Sequence, residues 1–194
     1  MLNIVIYGAP GSGKGTQSEK IVNRYGLYHI STGEVLRKQI AEGTELGRLA
    51  DSYISEGHLI PDDLMLKVLA DELDRHPEEI KKGVIFDGFP RTLPQAEALT
   101  AMLNERNTDI HAVVGLEVGD DELTERMIRR GRETGRADDN PETIKERLNV
   151  YHNLTQPLKQ YYHARGKYRG VNGHGHEDEV FSRILECLEG HCTD

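Results

Sequence analysis

A glycine-rich turn between an apolar run and a polar helix pattern occupies residues 4–16 of the sequence. Four glycines stand in the eight positions from 8 to 15, and without a Cβ they let backbone N–H groups converge on one point. The N-terminus of the following helix adds unpaired N–H groups and a positive dipole end, so the turn attracts phosphate. Lys14 adds a full charge, and Thr16 adds a hydroxyl that can reach a metal ion. The pattern is the phosphate-loop motif Gly-x4-Gly-Lys, with Gly15 where Ser or Thr usually follows the lysine.

The length of 194 residues predicts one domain that can bury a real core. A hydrophobic fraction of 37% and a charged fraction of 29% are typical of a soluble globular protein. No apolar run approaches the ~20 residues that a membrane-spanning helix needs. Since the first strand begins by residue 3, we expect no signal or transit peptide and a cytoplasmic location.

The net charge of −9 argues against nucleic acid as a partner, because the chain has no overall positive field. An acidic protein that binds polyphosphate must therefore concentrate its cations locally. Two cysteines, Cys187 and Cys192, lie near the C-terminus, and they predict neither a disulfide framework nor a structural zinc site.

Strand and helix patterns alternate along the chain. After the first strand, short apolar runs at 27–30, 84–87, 110–116 and 168–171 predict four more strands, with helical periodicity between them. This alternation predicts an α/β fold, a five-stranded parallel sheet with helices on both faces.

Two segments depart from this alternation. Residues 31–60 hold two short helix patterns in succession, the first with Ser31 and Glu34 spaced as a capping box, and they predict a helical insertion. Residues 129–139 contain no apolar side chain larger than alanine, so this stretch predicts an exposed, mobile loop. The remainder, residues 1–30, 61–128 and 140–194, forms the core domain in this interpretation.

Ligands of such a sheet bind beyond the carboxyl ends of its strands. The phosphate loop, the stretch 87–91 and the stretch 172–175 all fall at that edge. Asp87 ends a buried strand there, where it can hold a hydrated Mg²⁺ beside nucleotide phosphates or cap a local turn. The required cations are arginines that flank the polar stretch: Arg37, Arg91, Arg126, Arg130, Arg136 and Arg147. Together they predict an electrostatic clamp for phosphoryl transfer.

Four motifs carry a resemblance to a known family: residues 8–17, 31–34, 87–95 and 135–140. They resemble adenylate kinases in order and spacing over essentially the whole chain, and that family has Gly then Thr after the lysine. The resemblance implies a phosphate-loop core with two moving parts, a monophosphate-binding insertion (31–60) and a short lid (129–139). It also implies that Mg²⁺ binds together with ATP and that the protein holds no zinc. The ligands would be ATP, AMP and ADP, and the protein would be a monomer.

The resemblance also implies the site residues. The ATP site would comprise Pro10, Gly11, Ser12, Gly13, Lys14, Gly15, Thr16, Arg126, Arg130 and Gly175. The AMP site would comprise Thr32, Arg37, His58, Leu59, Ile60, Gly88, Phe89, Pro90, Arg91, Gln95, Arg136 and Arg147. The catalytic cations would be Lys14, Arg91, Arg130, Arg136 and Arg147, with Asp87 holding Mg²⁺ through water and Asp138 and Asp139 helping to fix the closed lid.

Two alternatives remain open at the level of sequence. UMP/CMP kinases resemble this chain in loop and lid but tend to carry Asn where Thr92 and Gln95 stand. A glutamine amide donates and accepts together, which suits the N1/N6 edge of adenine, so we expect AMP as the acceptor. A regulatory module that only senses or slowly hydrolyses ATP is the second alternative. His174 and His176, with Glu177 and Asp178, are too loosely spaced to predict a metal site.

Overall fold

A computed structural model describes residues 1–190, and residues 191–194 lie outside the described part. Five parallel strands form one sheet in the order β2-β3-β1-β4-β5. Their bounds are β1 Ile4–Gly8, β2 Tyr28–Ser31, β3 Val84–Asp87, β4 Ala112–Glu117 and β5 Tyr168–Asn172. The predicted five-stranded parallel α/β fold is confirmed, with strand ends within two residues of the predicted ones.

Helices connect the strands. The longer ones in the described residues are α1 Lys14–Tyr25, α2 Thr32–Ala41, α3 Glu45–Ile54, α4 Asp62–Arg75, α5 Leu93–Glu105, α6 Asp120–Thr134, α7 Pro141–Val150, α8 Leu158–His163 and α9 Glu177–Leu188. Short 3₁₀ turns occupy Glu79–Lys82 and Ala137–Asp139, and a π-helical turn occupies Tyr151–Thr155. None of the helices within residues 1–190 has the length and apolar character to cross a bilayer.

The central strand β1 shows how the sheet is covered. Its alternate side chains point to opposite faces, so Val5 and Tyr7 belong to one buried cluster while Ile4 and Ile6 belong to another. The first cluster packs against α4, α5 and α8, and the second packs against α1 and α9. Helices therefore cover both faces, which explains why the three inner strands β1, β3 and β4 are buried over most of their length.

The strand register brings distant polar groups to one edge. Ile6 pairs with Asp87, Ser31 pairs with the same Asp87, and Glu117 pairs with Asn172, all in parallel. Because parallel strands share their carboxyl edge, the ends of β1, β3 and β5 lie together, as the sequence predicted.

Residues 31–60 contain the predicted pair of helices, α2 and α3. The helices approach so closely that a Cβ on Gly47 would lie 2.0 Å from the carbonyl oxygen of Gln39. The predicted capping box at the start of α2 is wrong, because the Ser31 side chain makes no cap hydrogen bond and the residue ends β2. The side chain of Thr44 caps α3 instead, accepting from the backbone N–H of Gly47 at 2.9 Å.

The prediction that residues 129–139 form an exposed loop is wrong, because most of this segment is helical. Helix α6 continues through Thr134 and ends at Gly135 in the left-handed conformation, and a 3₁₀ turn follows. A Cβ on Gly131 would lie 2.8 Å from the carbonyl oxygen of Asp139, so this glycine lets the turn pack directly on the helix. Ion pairs of buried Asp138 and Asp139 hold the segment where apolar side chains are lacking.

The C-terminal helix α9 packs on the second face of the sheet. Cys187 in α9 lies among the partly buried side chains of that face. Cys192, the other cysteine of the sequence analysis, lies outside the described residues.

Candidate active site

The turn after β1 is a phosphate-binding loop in its geometry. Gly8, Gly11 and Gly13 all have positive φ, at 150°, 83° and 96°, which L side chains rarely adopt. A Cβ on Gly8 would also lie 2.7 Å from the Ser12 hydroxyl oxygen. Gly13 precedes α1, and no side chain caps the N–H groups of that helix. Those N–H groups and the dipole end stay available to an anion.

Lys14 lies folded back over the loop that precedes it. Its ammonium donates to the carbonyl oxygens of Gly8 at 2.8 Å and Ala9 at 2.9 Å. Burial lowers the pKa of Lys14 to about 7; the charge of Asp87 opposes this shift and that of Arg91 adds to it. The two carbonyl groups are neutral and only partly stabilise the buried ammonium, so a phosphate bound in the loop would supply the negative charge that it lacks.

Asp87 ends β3 and is 8% exposed. Its Oδ2 lies 3.6 Å from Nε2 of His29 and 3.5 Å from the hydroxyl of Ser18. Burial raises the pKa of Asp87, but the neighbouring His29 and the charge of Lys14 outweigh it and lower the pKa overall. The carboxylate is therefore ionised at neutral pH.

The oxygen donors at this edge fit Mg²⁺. Asp87 and the Thr16 hydroxyl line the same cavity as the phosphate loop. The described residues hold no group of three or more His, Cys, Asp or Glu side chains placed for a metal. Mg²⁺ matches such a sparse site, because it keeps several waters and takes the remaining ligands from nucleotide phosphates.

Three arginines converge on two buried carboxylates beside this loop. Arg130 forks onto Asp139 with distances of 2.7 and 2.8 Å, and Arg136 forks onto Asp138 with 3.0 and 2.8 Å. Arg147 bridges both, at 2.6 Å to Asp139 and 3.0 Å to Asp138. The Asp139 side chain is fully buried, so the carboxylates fix the positions of the guanidinium groups.

The charges of this cluster shift each other's pKa. Burial raises the pKa of Asp138, but the hydrogen bonds of Arg136 and the charge of Arg147 outweigh it and lower the pKa to about 2. Burial and the charge of Arg147 lower the pKa of Arg91 to about 10. The cations in this cluster outnumber the carboxylates, and an anionic ligand would relieve the repulsion that remains.

One cavity lies between the helical insertion and the core. All twelve residues predicted for the AMP site line it: Thr32, Arg37, His58, Leu59, Ile60, Gly88, Phe89, Pro90, Arg91, Gln95, Arg136 and Arg147. Tyr7, Met65, Tyr151 and Thr155 also belong to its wall, and sequence reasoning did not place these four there.

A second cavity opens on the other side of the phosphate loop. All ten residues predicted for the ATP site line it: Pro10, Gly11, Ser12, Gly13, Lys14, Gly15, Thr16, Arg126, Arg130 and Gly175. Arg126 is anchored here, since it pairs with Glu122 and donates to the carbonyl oxygen of Gly173 at 3.1 Å. Arg129 and Glu133 of α6 also face this cavity.

The two cavities share one wall. The residues that line both are Pro10, Lys14, Gly33, Arg37, Gly88, Arg91, Arg136 and Arg147. Five of these eight are cations, so the wall is the place where the anionic ends of two ligands would meet. Exchange of a phosphoryl group needs such positioning and charge neutralisation more than it needs a protein acid or base.

Arg91 is held at three points. Its Nε donates to the carbonyl oxygen of Gly88 at 2.7 Å, and its backbone N–H donates to Oε1 of Gln95 at 2.8 Å. Its carbonyl oxygen accepts from the hydroxyl of Thr155 at 2.8 Å. Thr155 closes the π-helical turn, a local irregularity that often marks functional sites.

Asp62 is a further side chain that sequence reasoning missed. The carboxylate accepts from the Gln95 amide at 2.7 Å and from the Thr92 hydroxyl at 3.1 Å. The only signal in the sequence is its place in the first turn of α4, where an acidic residue ordinarily complements the helix dipole.

The sheet, the glycine loop and the shared cationic wall together define a phosphate-loop α/β protein with two adjoining anion-binding cavities. Comparison with known proteins gives the family. The family model described as adenylate kinase matches residues 6–167. An adenylate kinase of Bacteroides fragilis is 58% identical over 97% of this chain and 99% of its own length.

Two further relatives agree. An adenylate kinase of Bacteroides thetaiotaomicron is 57% identical over 97% of this chain and 99% of its own length. One of Porphyromonas gingivalis is 48% identical, with 97% and 96% covered. The chain therefore belongs to the adenylate kinase family, a family of nucleoside monophosphate kinases. The similarity favours this family over the UMP/CMP kinases and over a regulatory ATP-binding module.

Proposed function

We propose that the chain catalyses the reversible, Mg²⁺-dependent transfer of the terminal phosphoryl group of ATP to AMP, which gives two molecules of ADP. The observation that carries the proposal is the cationic wall shared by the two cavities. A simple ATPase needs one phosphate-binding cavity, whereas a second cavity that meets the first at its cations suits a second anionic nucleotide.

We assign the donor nucleotide to the cavity at the phosphate loop, with residues 10–16, Arg126, Arg130 and Gly175 around it. The acceptor takes the cavity between the insertion 31–60 and the core, where Gln95 faces the base and Arg37 and Arg91 face its phosphate. Segment 129–139 is the lid, and it carries Arg136 at the wall that the two cavities share. We assign residues 1–30, 61–128 and 140–194 to the core domain.

The reaction needs no general base in this mechanism. The AMP phosphate is already an anionic nucleophile near pH 7, and it needs alignment with the terminal phosphate of ATP. Lys14, Arg91, Arg130, Arg136 and Arg147 neutralise the charge on the group in transfer. The carboxylates of Asp138 and Asp139 hold three of these arginines in place before substrates arrive, so little reorganisation remains for the reaction itself.

Mg²⁺ enters with ATP. We propose that Asp87 holds it through water and that the Thr16 hydroxyl contributes from the loop. When bound, the ion neutralises charge on the nucleotide phosphates and orients them. The expected absence of zinc, the monomeric state and the cytoplasmic location stay predictions from the sequence and its resemblance.

Initial rates with AMP, CMP and UMP at saturating Mg-ATP test the proposal. We expect AMP to be the preferred acceptor, and we expect ADP alone to disproportionate into ATP and AMP. A clear preference for a pyrimidine monophosphate would contradict the assignment of the acceptor. Hydrolysis of Mg-ATP at a rate that AMP does not change, with no conversion of ADP, would contradict phosphoryl transfer altogether.

A further inference from the structure

The amide of Gln95 is held from both ends in the wall of the acceptor cavity. The residue is 2% exposed. Its Oε1 accepts from the backbone N–H of Arg91 at 2.8 Å, and its Nε2 donates to Oδ1 of Asp62 at 2.7 Å. The cavity lining includes Gln95, so the amide lies between the core and the space for a ligand.

These two partners allow only one orientation of the amide. A backbone N–H can only donate, and an ionised carboxylate can only accept. A flipped amide would set its NH₂ group against the N–H of Arg91 and its oxygen against the carboxylate of Asp62. Each amide atom retains one further position, because the oxygen has a second lone pair and the nitrogen a second N–H.

The carboxylate of Asp62 has a second partner besides the amide. The hydroxyl of Thr92 lies 3.1 Å from each carboxylate oxygen of Asp62, and the same hydroxyl accepts from the backbone N–H of Gln95. Thr92 is the N-cap of α5, whereas Asp62 begins α4 directly after the 31–60 insertion. The carboxylate therefore has a fixed place relative to both helices.

We propose that Asp62 is a positioning residue that sets the polarity of the Gln95 amide and thereby selects the purine edge that the acceptor cavity accepts. The inference rests on the proposed function, in which this cavity takes a purine monophosphate. Adenine presents an N6–H donor beside the N1 acceptor, which matches the free oxygen and the free N–H of the fixed amide. Hypoxanthine presents the O6 acceptor beside an N1–H donor, so it meets like groups at both positions.

A purely structural role for Asp62 is the competing explanation. The residue lies in the first turn of α4, where a negative charge stabilises the positive end of the helix dipole. Asp63 lies in the same turn, is exposed, and has no hydrogen bond in the described part of the chain to Gln95 or Thr92. Asp63→Asn is thus a matched control, since it removes the same charge from the same helix end.

The test compares Asp62→Asn with Asp63→Asn and wild type, using AMP and IMP as acceptors at saturating Mg-ATP. In Asp62→Asn the introduced side chain can present either its oxygen or its NH₂ group to Gln95, so the Gln95 amide keeps the Arg91 N–H but loses the charged partner that fixes its other end. For this variant we expect the KM for AMP to rise about tenfold and kcat to stay within about twofold, because orientation of the base affects binding. The preference for AMP over IMP in kcat/KM should fall about tenfold, the scale of one hydrogen bond to a charged group.

The same substitution made in a Gln95→Met variant distinguishes an effect that acts through Gln95 from a general disturbance of the acceptor cavity. In Gln95→Met, the further change Asp62→Asn should leave the KM for AMP unchanged, since the amide it orients is gone. Equal effects of Asp62→Asn and Asp63→Asn on the AMP/IMP ratio would overturn the inference. So would a full additional rise in KM in the Gln95→Met background. If wild type transfers no phosphoryl group to AMP, the proposed function itself fails, which is a different result.

Discussion

Replacement of Arg136 by alanine tests the shared wall most directly. The guanidinium lines both cavities, so the variant loses one of five cations at the place where the phosphates meet. Removal of one preorganised donor from a developing anion costs roughly 100-fold to 1,000-fold in kcat. Lys14, Arg37, Arg91 and Arg147 remain on the wall, which places the expected loss near the lower end. We expect turnover to fall by more than about 100-fold, close to 3 kcal/mol.

The structure also sets the expected loss of stability. Truncation of an arginine in a fully exposed loop would cost almost no stability, but Arg136 is four-fifths buried and forks onto the buried carboxylate of Asp138. Arg147 remains 3.0 Å from the same carboxylate, so the variant does not leave Asp138 unpaired. The loss should therefore be about 1 to 2 kcal/mol, the worth of a charge-assisted hydrogen bond, rather than the ~3 to 5 kcal/mol of an orphaned buried charge.

The assay measures ADP formation from AMP and Mg-ATP and, separately, unfolding in denaturant. Arg132→Ala is the control, because this arginine lies only four residues earlier in the last turn of α6, is exposed and lines neither cavity. Arg136→Lys keeps the charge but loses the planar fork, so we expect an intermediate rate. A turnover of Arg136→Ala within a few-fold of Arg132→Ala would refute the reasoning.

Three further predictions concern other parts of the molecule. Gly47→Ala places a Cβ 2.0 Å from the Gln39 carbonyl oxygen and should force α2 and α3 apart. The KM for AMP should therefore rise at least about tenfold, whereas the affinity for ATP, measured by calorimetry, should stay unchanged. The pKa of Asp138 is 3.8 in the unfolded chain and about 2 in the folded protein, so the ionised carboxylate stabilises the fold above pH 4. This stabilisation is lost as the pH drops toward 2. The difference in unfolding free energy between wild type and Asp138→Asn should therefore shrink over that range. With a pKa of about 7, Lys14 is mostly neutral at pH 8 and should take up a proton when phosphate binds beside it. Calorimetry of ATP binding in two buffers should therefore show proton uptake, and Lys14→Met should abolish that uptake.

The central strand and the phosphate loop were predictable because their determinants are local. An apolar run, glycines at fixed spacing and a lysine in register specify the strand, the turn and the helix start within a few residues. The parallel sheet followed from the alternation of elements, which is a rule of topology rather than of any single contact. The lining of both cavities came from motif resemblance, and the structure brings all of those residues to the two cavity walls.

The helical course of 129–134 was not predictable from apolar periodicity, because charges hold this segment. Asp139 has no exposed side-chain surface, and it binds arginines that lie nine positions before it and eight positions after it. Polar residues usually indicate solvent exposure, and a buried network of opposite charges defeats that rule. Gly131 permits the close packing, yet a glycine in the sequence suggests a break in the helix.

The supports of Arg91 and Gln95 were missed for a different reason. Thr155 is 64 residues from Arg91, and Asp62 is 33 residues from Gln95, so no local spacing connects them. A threonine in a π-helical turn and an aspartate at a helix start both have ordinary local explanations. Their contacts depend on how α4, α5 and the turn after α7 dock together, which only the tertiary structure reveals.

The concentration of cations at one wall has a kinetic consequence for an otherwise acidic chain. The protein carries 33 carboxylate side chains against 24 lysines and arginines, and several of those cations face the cleft. A polyanionic nucleotide is repelled over most of the surface and attracted at the mouth of the cleft, so diffusional encounters are steered toward it. Added salt screens both the repulsion and the attraction, and capture of nucleotide should depend on ionic strength more steeply than the chemical step inside the closed site.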